Sequence, residues 1–181
     1  MSIQYRYEEL KQEQIKLLGF DPDNEKECIE AVKRISFALQ YINNQTEEIC
    51  LAAVKKDGYV LQYVKHQTPE ICLEAVRNCT IALQYVKKQT PKLCMEAVKQ
   101  EGHALQYVRK QTPELCMEAV KQDGLTLKYV TNQTEEICLA AVKKDGYALR
   151  FVKEQTPNIC KEAVKRNKQA LIYVRDLNML L

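Results

Sequence analysis

The chain has 181 residues, of which 46% are hydrophobic and 28% charged, as expected for a soluble domain with a substantial core. Residues 1–20 contain no basic-then-apolar leader, and no apolar run approaches the ~20 residues of a membrane span, so we expect neither a secretory signal nor a membrane partner. The net charge of +3 neither demands nor excludes an acidic partner. These features predict an intracellular protein in the cytoplasm, a reducing compartment.

The first predicted element is a helix over residues 2–18, with apolar Tyr7, Leu10, Ile15 and Leu18 and a stop at Gly19. This segment differs in sequence from everything that follows. We therefore expect residues 1–23 to form an N-terminal capping helix.

A 22-residue repeat then runs without insertion from Asn24 to Leu177. Cysteine returns at one position and an aromatic residue at another in each of seven copies. The cysteines are Cys28, Cys50, Cys72, Cys94, Cys116, Cys138 and Cys160, and the aromatic residues are Tyr41, Tyr63, Tyr85, Tyr107, Tyr129, Phe151 and Tyr173. A fixed period of this length is typical of stacked repeats. The sequence predicts an all-α fold, an α-solenoid of seven stacked helix-turn-helix repeats over residues 24–177, with residues 178–181 as a C-terminal tail.

The fifth copy shows how one repeat is built. Thr112 is suited to cap a helix that starts at Pro113 and runs to about Gln122, and Gly124 is expected to supply a left-handed stop before a second helix. The first copy opens instead with Asn24, and Glu27 follows three residues later as in a capping box.

A leucine-rich-repeat-like coil is the alternative, with a short strand at residues 127–130. The diagnostic leucine and asparagine pattern of that class is missing, and the Ala-Val-Lys stretch with its capping residues favours a helix.

The pattern T-P-E-[IL]-C-[LM]-E-A-V-K-x-[DE]-G-x-A-L-x-Y-V resembles a domain-of-unknown-function family of short helical-hairpin repeats, common in giant-virus and bacterial proteins. The resemblance covers residues 24–177 and implies an all-helical array. It implies no catalytic residue.

The cysteines do not have the spacing of a metal site or of a disulfide framework. The chain contains no Cys-x-x-Cys pair, and equivalent positions in neighbouring helical repeats lie roughly 9 to 10 Å apart, too far for a disulfide. We interpret the repeated cysteine as a small buried apolar residue and expect no metal and no cofactor. Cys79, outside the repeated position, is expected to be a more exposed thiol.

An enzyme is a weaker hypothesis, because a catalytic site needs different residues that converge once, whereas this chain presents the same residues seven times. We expect no catalytic residue; Cys79 and His103 are the positions at which a redox or enzymatic role would be tested.

Two sets of polar positions are candidates for binding. One is a basic ladder near the end of each first helix: Lys55, Arg77, Lys99, Lys121 and Lys143. Cations there also complement the helix dipole, and nearby glutamates offset much of the charge. The other set differs between copies, as expected of a surface that specialises while the core stays constant; its members are Tyr59, Gln62, Gln84, His103, Gln106, Leu125, Lys128, Tyr147 and Arg150.

The leading hypothesis is a non-enzymatic repeat protein that binds a macromolecular partner, most simply a protein, as a scaffold or steric inhibitor. The family resemblance adds the expectation of a role in host–virus conflict, in the host cytoplasm if the chain is viral. The alternative is binding of nucleic acid or a ribonucleoprotein along the basic ladder. The apolar C-terminal tail is expected to pack on the last repeat or to form a homo-oligomer contact.

Overall fold

A computed structural model describes residues 3–181, with side-chain burial described from Glu8 onward. The predicted helix start at residue 2 and the side chain of Tyr7 lie outside that part. The α-helices are α1 Ile3–Leu18, α2 Glu25–Arg34, α3 Glu47–Lys56, α4 Pro69–Asn78, α5 Pro91–Gln100, α6 Pro113–Gln122, α7 Glu135–Lys144 and α8 Pro157–Arg166. The 3₁₀ helices are η1 Ser36–Tyr41, η2 Gly58–Tyr63, η3 Thr80–Tyr85, η4 Gly102–Tyr107, η5 Gly124–Tyr129, η6 Gly146–Phe151, η7 Lys168–Tyr173 and η8 Leu177–Leu180. The described residues contain no strand, so the chain is an α-solenoid of tandem repeats and the leucine-rich-repeat alternative is wrong.

Threonine begins the α-helix of six repeats, as predicted. In α6 the Thr112 hydroxyl accepts a hydrogen bond from the backbone N–H of Leu115 at 3.4 Å, and Pro113 occupies the first turn. The α-helices that lack this proline, α3 and α7, place glutamates in the first turn, where the helix dipole favours negative charge.

The first repeat begins with a different cap. The Asn24 side chain accepts hydrogen bonds from the N–H groups of Lys26 and Glu27. The Glu27 carboxylate accepts from the backbone N–H of Asp21 at 2.8 Å and from the Asn24 side-chain amide at 3.2 Å. The expected capping-box bond to the Asn24 backbone is thus replaced by one that ties the preceding loop to α2.

The second element of each repeat is a six-residue 3₁₀ helix, a tighter form of the second helix that the sequence predicts. With three residues per turn, side chains three apart lie on the same line. In η5, Thr126 and Leu127 are fully buried, Leu125 is half-buried and Lys128 is exposed. The tighter winding aligns Leu125 with Lys128 on the side of η5 that faces away from the core.

The prediction of a left-handed stop at the repeated glycine is wrong. Among the described residues only Gly19 has a positive φ, 65°, at the end of α1. The residue before the repeated glycine ends the α-helix in an extended conformation, as Asp123 does with φ −143° and ψ 115°. Gly124 is needed for close approach, because a Cβ there would lie 2.4 Å from the Ala141 carbonyl oxygen of the next repeat.

The repeats form two compact units, one ending at Lys88 and the other beginning at Gln89. Within each unit, neighbouring α-helices pack together as one layer and neighbouring 3₁₀ helices as a second, with the core between them. Leu127 of η5 and Val120 of α6 are both fully buried. A fully buried leucine contributes roughly 2 kcal/mol of hydrophobic free energy, and each repeat supplies one at this position up to Leu149.

The terminal segments pack less completely. Ile15 of α1 is buried but Leu10 is 52% exposed, so the predicted apolar side of that helix is only partly covered. In the tail, η8 packs on α8, and Met179 Sδ lies 3.7 Å from Cys160 Sγ. Leu171 is 44% exposed, while its equivalents in the earlier repeats are fully buried. Self-association through the tail stays a prediction.

Within residues 3–181, no helix combines the length and apolar character that a membrane crossing requires.

Candidate partner-binding face

A glutamine at the end of each repeat positions the 3₁₀ helices. Gln111 donates from Nε2 to the carbonyl of Tyr129 at 2.9 Å and to that of Leu105 at 3.4 Å. Its Oε1 accepts from the backbone N–H of Thr131 at 3.0 Å. One amide therefore joins the 3₁₀ helix of its own repeat to that of the next, using backbone groups that would otherwise lack partners.

The same amide contacts the repeated cysteine. Cys116 Sγ lies 3.6 Å from Gln111 Oε1, and the same contact occurs for Cys72, Cys94, Cys138 and Cys160 at 3.6–3.8 Å. The interpretation of this cysteine as only a small apolar residue is thus incomplete, because its thiol is a weak donor to the bridging amide. We call Gln45, Gln67, Gln89, Gln111, Gln133 and Gln155 the bridging glutamines. Sequence reasoning missed them, although a polar residue that never varies next to a helix cap was a usable signal.

Burial makes the repeated thiols poor nucleophiles. It raises the pKa of the Cys50 thiol to about 11, with the nearby Glu47 carboxylate acting in the same direction and Lys65 opposing both. Burial likewise raises the pKa of Cys28 to about 11. Such thiols stay protonated near neutral pH, and only the thiolate is a strong nucleophile. Cys79, at the end of α4, is half-buried and is the most exposed cysteine, as predicted.

The positions that differ between repeats lie on the outer side of the 3₁₀ helices. Two positions are involved: the second and the fifth residue of each 3₁₀ helix. The Gln62 amide donates to the Tyr59 carbonyl at 3.3 Å, and the Gln106 amide to the His103 carbonyl at 3.2 Å. In each unit, we call this side the outer 3₁₀ face. In the first unit it presents Phe37, Gln40, Tyr59, Gln62, Ile81 and Gln84, and in the second His103, Gln106, Leu125, Lys128, Tyr147, Arg150, Gln169 and Ile172.

The predicted binding residues are accessible, but to different degrees. Tyr59, Gln84, Gln106, Lys128 and Arg150 are exposed. The other four predicted residues, Gln62, His103, Leu125 and Tyr147, are half-buried.

In the first unit, aromatic contacts between repeats hold this face in place. The Phe37 and Tyr63 rings meet edge to face with centroids 5.8 Å apart, and those of Tyr59 and Tyr85 do so at 5.2 Å. Such pairs add about 0.5–1.5 kcal/mol beyond the area that they bury. These contacts therefore restrict the rotation of each ring.

In the second unit the face is cationic as well as aromatic. Lys128 Nζ lies 4.6 Å from the ring centroid of Tyr129, and Arg150 Cζ lies 4.4 Å from that of Phe151. The His103 and Tyr129 rings meet edge to face with their centroids 5.9 Å apart. The two cations occupy positions that hold Gln62 and Gln84 in the first unit.

One edge of the cationic face carries acidic groups. The Asp123 carboxylate accepts from the Leu125 N–H at 2.9 Å, and its second oxygen lies 3.7 Å from His103 Nε2. Asp145 accepts in the same way from the Tyr147 N–H. These carboxylates cap the starts of η5 and η6.

The predicted basic ladder lies on the α-helical layer. Lys55, Arg77, Lys99, Lys121 and Lys143 are all exposed there. Their equivalent in the first repeat, Lys33, contacts Glu30 at 3.1 Å, which illustrates how neighbouring glutamates offset the charge. The structure therefore keeps the basic ladder apart from the outer 3₁₀ face.

A second series of cations, at the ends of the 3₁₀ helices, binds backbone carbonyls of the preceding repeat. Lys65 Nζ donates to the Asn43 carbonyl at 2.8 Å, and Lys153 Nζ to that of Thr131 at 2.7 Å. Arg175 donates to the carbonyls of Lys153 and Val152. These side chains therefore stabilise the fold by joining neighbouring repeats.

Two clefts lie elsewhere on the surface. One of about 580 Å³ lies between α2 and α3 over Ile29, Leu51 and Ala52. The other, of about 410 Å³, lies beside the turns at Gly124 and Gly146. Among the described residues, no group of three or more His, Cys, Asp and Glu side chains is placed to hold a metal ion.

The profile of a family described as a domain of unknown function (DUF4116) matches the chain repeatedly. The matches cover residues 24–67, 46–90, 68–112, 90–134, 112–156 and 134–177, so each spans two consecutive repeats. No curated protein and no solved structure matches the chain. The family profile and the repeated α/3₁₀ unit cover the same residues, and the chain belongs to the DUF4116 family.

Proposed function

We propose that this protein is a non-enzymatic binding module whose outer 3₁₀ face contacts a protein partner, as a scaffold or as a steric inhibitor. The observation that carries the proposal is a contrast within each repeat. The leucine beneath the face, such as Leu61 or Leu127, is the same in all seven copies, whereas the residues above it differ. Binding surfaces of repeat proteins diverge in this way while their core is retained.

The chemistry of the face supports a protein partner. Protein interfaces are enriched in aromatic residues and arginine, and here these side chains lie beside each other at the surface. Ring contacts such as that of Tyr59 with Tyr85 already restrict side-chain rotation. Binding therefore costs less conformational entropy than it would on a surface of mobile side chains.

The non-enzymatic part of the proposal is supported by the repetition itself. Side chains that recur at fixed intervals form a series of equal environments, whereas catalysis needs unlike groups at one point. Burial also raises the pKa values of the repeated thiols, Cys116 among them, and so disfavours their use as nucleophiles.

The proposal extends to the cellular setting. Eight free cysteines fit the reducing cytoplasm, where thiols persist. A role as an inhibitor in host–virus conflict, in the host cytoplasm, is a proposal that follows from the resemblance to repeats of giant viruses.

Affinity capture with two matched quadruple alanine variants tests the main proposal. The face variant replaces Tyr59, Gln84, Leu125 and Arg150; the control variant replaces Lys55, Lys99, Lys121 and Lys143 on the α-helical layer. We expect mass spectrometry to find a host protein that binds the wild type and the control variant and is lost with the face variant. A partner that is retained by the face variant would contradict the proposal.

Nucleic-acid or ribonucleoprotein binding along the basic ladder is the second candidate. The specific support is exposure, because residues such as Lys99 and Lys121 project from the α-helical layer. Phosphate binding through several lysines would weaken steeply with salt. The same control variant tests this candidate: it should lose RNA or DNA affinity, and unchanged affinity would exclude the candidate.

A further inference from the structure

We infer that the outer 3₁₀ face of the second unit binds an extended acidic peptide segment, in which carboxylates three residues apart pair with Lys128 and Arg150. The inference rests on the proposed function and specifies the chemistry of the partner.

The two cations are held in place by aromatic rings. Lys128 lies over Tyr129 and Arg150 over Phe151, so each charge is fixed against a ring at the surface. Within residues 8–181, no carboxylate lies within ion-pair distance of either cation. Both side chains are exposed, so a carboxylate can approach without displacing an internal contact.

Two of the nearby acidic residues, Asp123 and Asp145, are at the other end of the 3₁₀ helices. Asp123 and Asp145 cap the starts of η5 and η6, and their carboxylates accept backbone hydrogen bonds there. Lys128 follows Asp123 by five residues, which corresponds to about 10 Å along a 3₁₀ helix. Glu154 follows η6 in an exposed position and is the acidic group that would lie closest in sequence to Arg150. The favourable path for a negatively charged peptide therefore crosses the ends of η5 and η6 at the two cations.

The repeat spacing sets the spacing of the carboxylates. Packed helices lie about 8–10 Å apart, so Lys128 and Arg150, at equivalent positions of neighbouring repeats, are separated by a similar distance. A peptide in the extended polyproline-II conformation advances about 9 Å in three residues and returns its side chains to the same side every third residue, whereas a β-strand alternates them. Acidic residues at positions i and i+3 would thus reach both cations, and the residues between them would contact Leu125 and Tyr147.

The arrangement favours a peptide over single-stranded nucleic acid. Base stacking requires an exposed aromatic face, and Tyr129 and Phe151 are half-buried with the adjacent cation over one face. The Tyr129 ring also contacts the His103 ring. Carboxylates, in contrast, need only the cations.

The first unit provides an internal control. Gln62 and Gln84 stand where the second unit has Lys128 and Arg150, and aromatic residues follow them in the same way. The K128Q+R150Q variant therefore copies an arrangement that the fold already contains. The K121Q+K143Q variant loses the same two charges on the α-helical layer and serves as the matched control.

Fluorescence anisotropy with a labelled peptide of four Glu-Thr-Thr units tests the inference. We expect the wild type and K121Q+K143Q to bind it equally and K128Q+R150Q to bind about tenfold more weakly, as expected from the loss of two exposed charge pairs. A Gln-Thr-Thr peptide of the same length should not bind. The Q62K+Q84R variant should bind a second peptide per chain, because it places cations before Tyr63 and Tyr85.

Three results would overturn the inference: no binding of the Glu-Thr-Thr peptide by the wild type, equal loss in both double variants, or tighter binding of a 12-nucleotide oligo(dT). If affinity capture still finds a partner that depends on the outer 3₁₀ face, these results refute the acidic peptide and leave the proposed function standing.

Discussion

Replacing a bridging glutamine should destabilise the protein far more than replacing a glutamine on the outer face. Gln111→Met keeps the length of the side chain but removes its amide. The carbonyl of Tyr129 and the N–H of Thr131 then lose bonds of 2.9 and 3.0 Å, and the longer bond to Leu105 and the thiol contact disappear as well. The matched control is Gln106→Met, whose exposed amide donates to the His103 carbonyl in its own 3₁₀ helix.

The expected magnitude follows from the two short bonds. A net contribution of about 1 kcal/mol for each gives a loss of about 2 kcal/mol for Gln111→Met, since partial access of water offsets part of the cost of unpaired groups. For a chain of this length that corresponds to a fall in Tm of about 4–8 °C. Gln106→Met should change stability by no more than about 0.5 kcal/mol.

Thermal unfolding followed by circular dichroism measures both variants, and amide hydrogen exchange locates the effect. Because repeat proteins can unfold in parts, the exchange rate of the Thr131 N–H is the more direct readout. It should rise in Gln111→Met and stay unchanged in Gln106→Met. Equal Tm values for the two variants, with Thr131 still protected, would refute the bridging role.

Three further outcomes are expected. Gly124→Ala should lower the Tm more than Gly102→Ala, because the added Cβ would lie 2.4 Å from a carbonyl oxygen in the first case and 3.0 Å in the second; equal effects would contradict a close-approach role. At pH 8 a thiol reagent should label Cys79 first in the folded protein and all eight cysteines in denaturant; early labelling of a repeated cysteine would contradict its burial. The free energy of unfolding should fall between pH 9 and about pH 11, because the unfolded state releases the Cys50 proton at a lower pH than the folded state. In denaturant titrations, Cys50→Ala should make this fall with pH less steep. An unchanged dependence on pH would exclude a contribution from Cys50.

The repeat architecture could be predicted from sequence because its signals are local and recur. Threonine before proline defines a helix start by itself, and repetition distinguishes that signal from chance. The sequence also indicates the exposed and half-buried positions of the second element, because a polar residue among apolar ones marks the side that faces solvent.

The errors concern features that depend on distant contacts. Six residues are too few to separate a period of 3.6 from one of 3.0, so the sequence of η5 does not distinguish an α-helix from a 3₁₀ helix. The sequence does not show whether a glycine is needed for a positive φ or for close packing. Gly124 is needed for close packing, because a side chain there would clash with a carbonyl of the next repeat. The partners of Gln111 include backbone groups 18 and 20 residues away. Every residue carries such groups, so the pattern of side chains does not indicate which of them Gln111 binds.

The bridging glutamines have a consequence for how such proteins change length in evolution. Gln111 and its equivalents join neighbouring repeats mainly through main-chain atoms, which every repeat supplies whatever its side chains are. A duplicated 22-residue segment therefore contains its own bridging glutamine. It also contains the backbone groups that the bridging glutamine of the neighbouring repeat binds. Gain or loss of a whole repeat keeps the hydrogen bonding complete, whereas an insertion between Gln111 and Tyr129 would change the 18-residue spacing that this hydrogen bond spans. This rule accounts for a period that stays unbroken while the outer face diversifies.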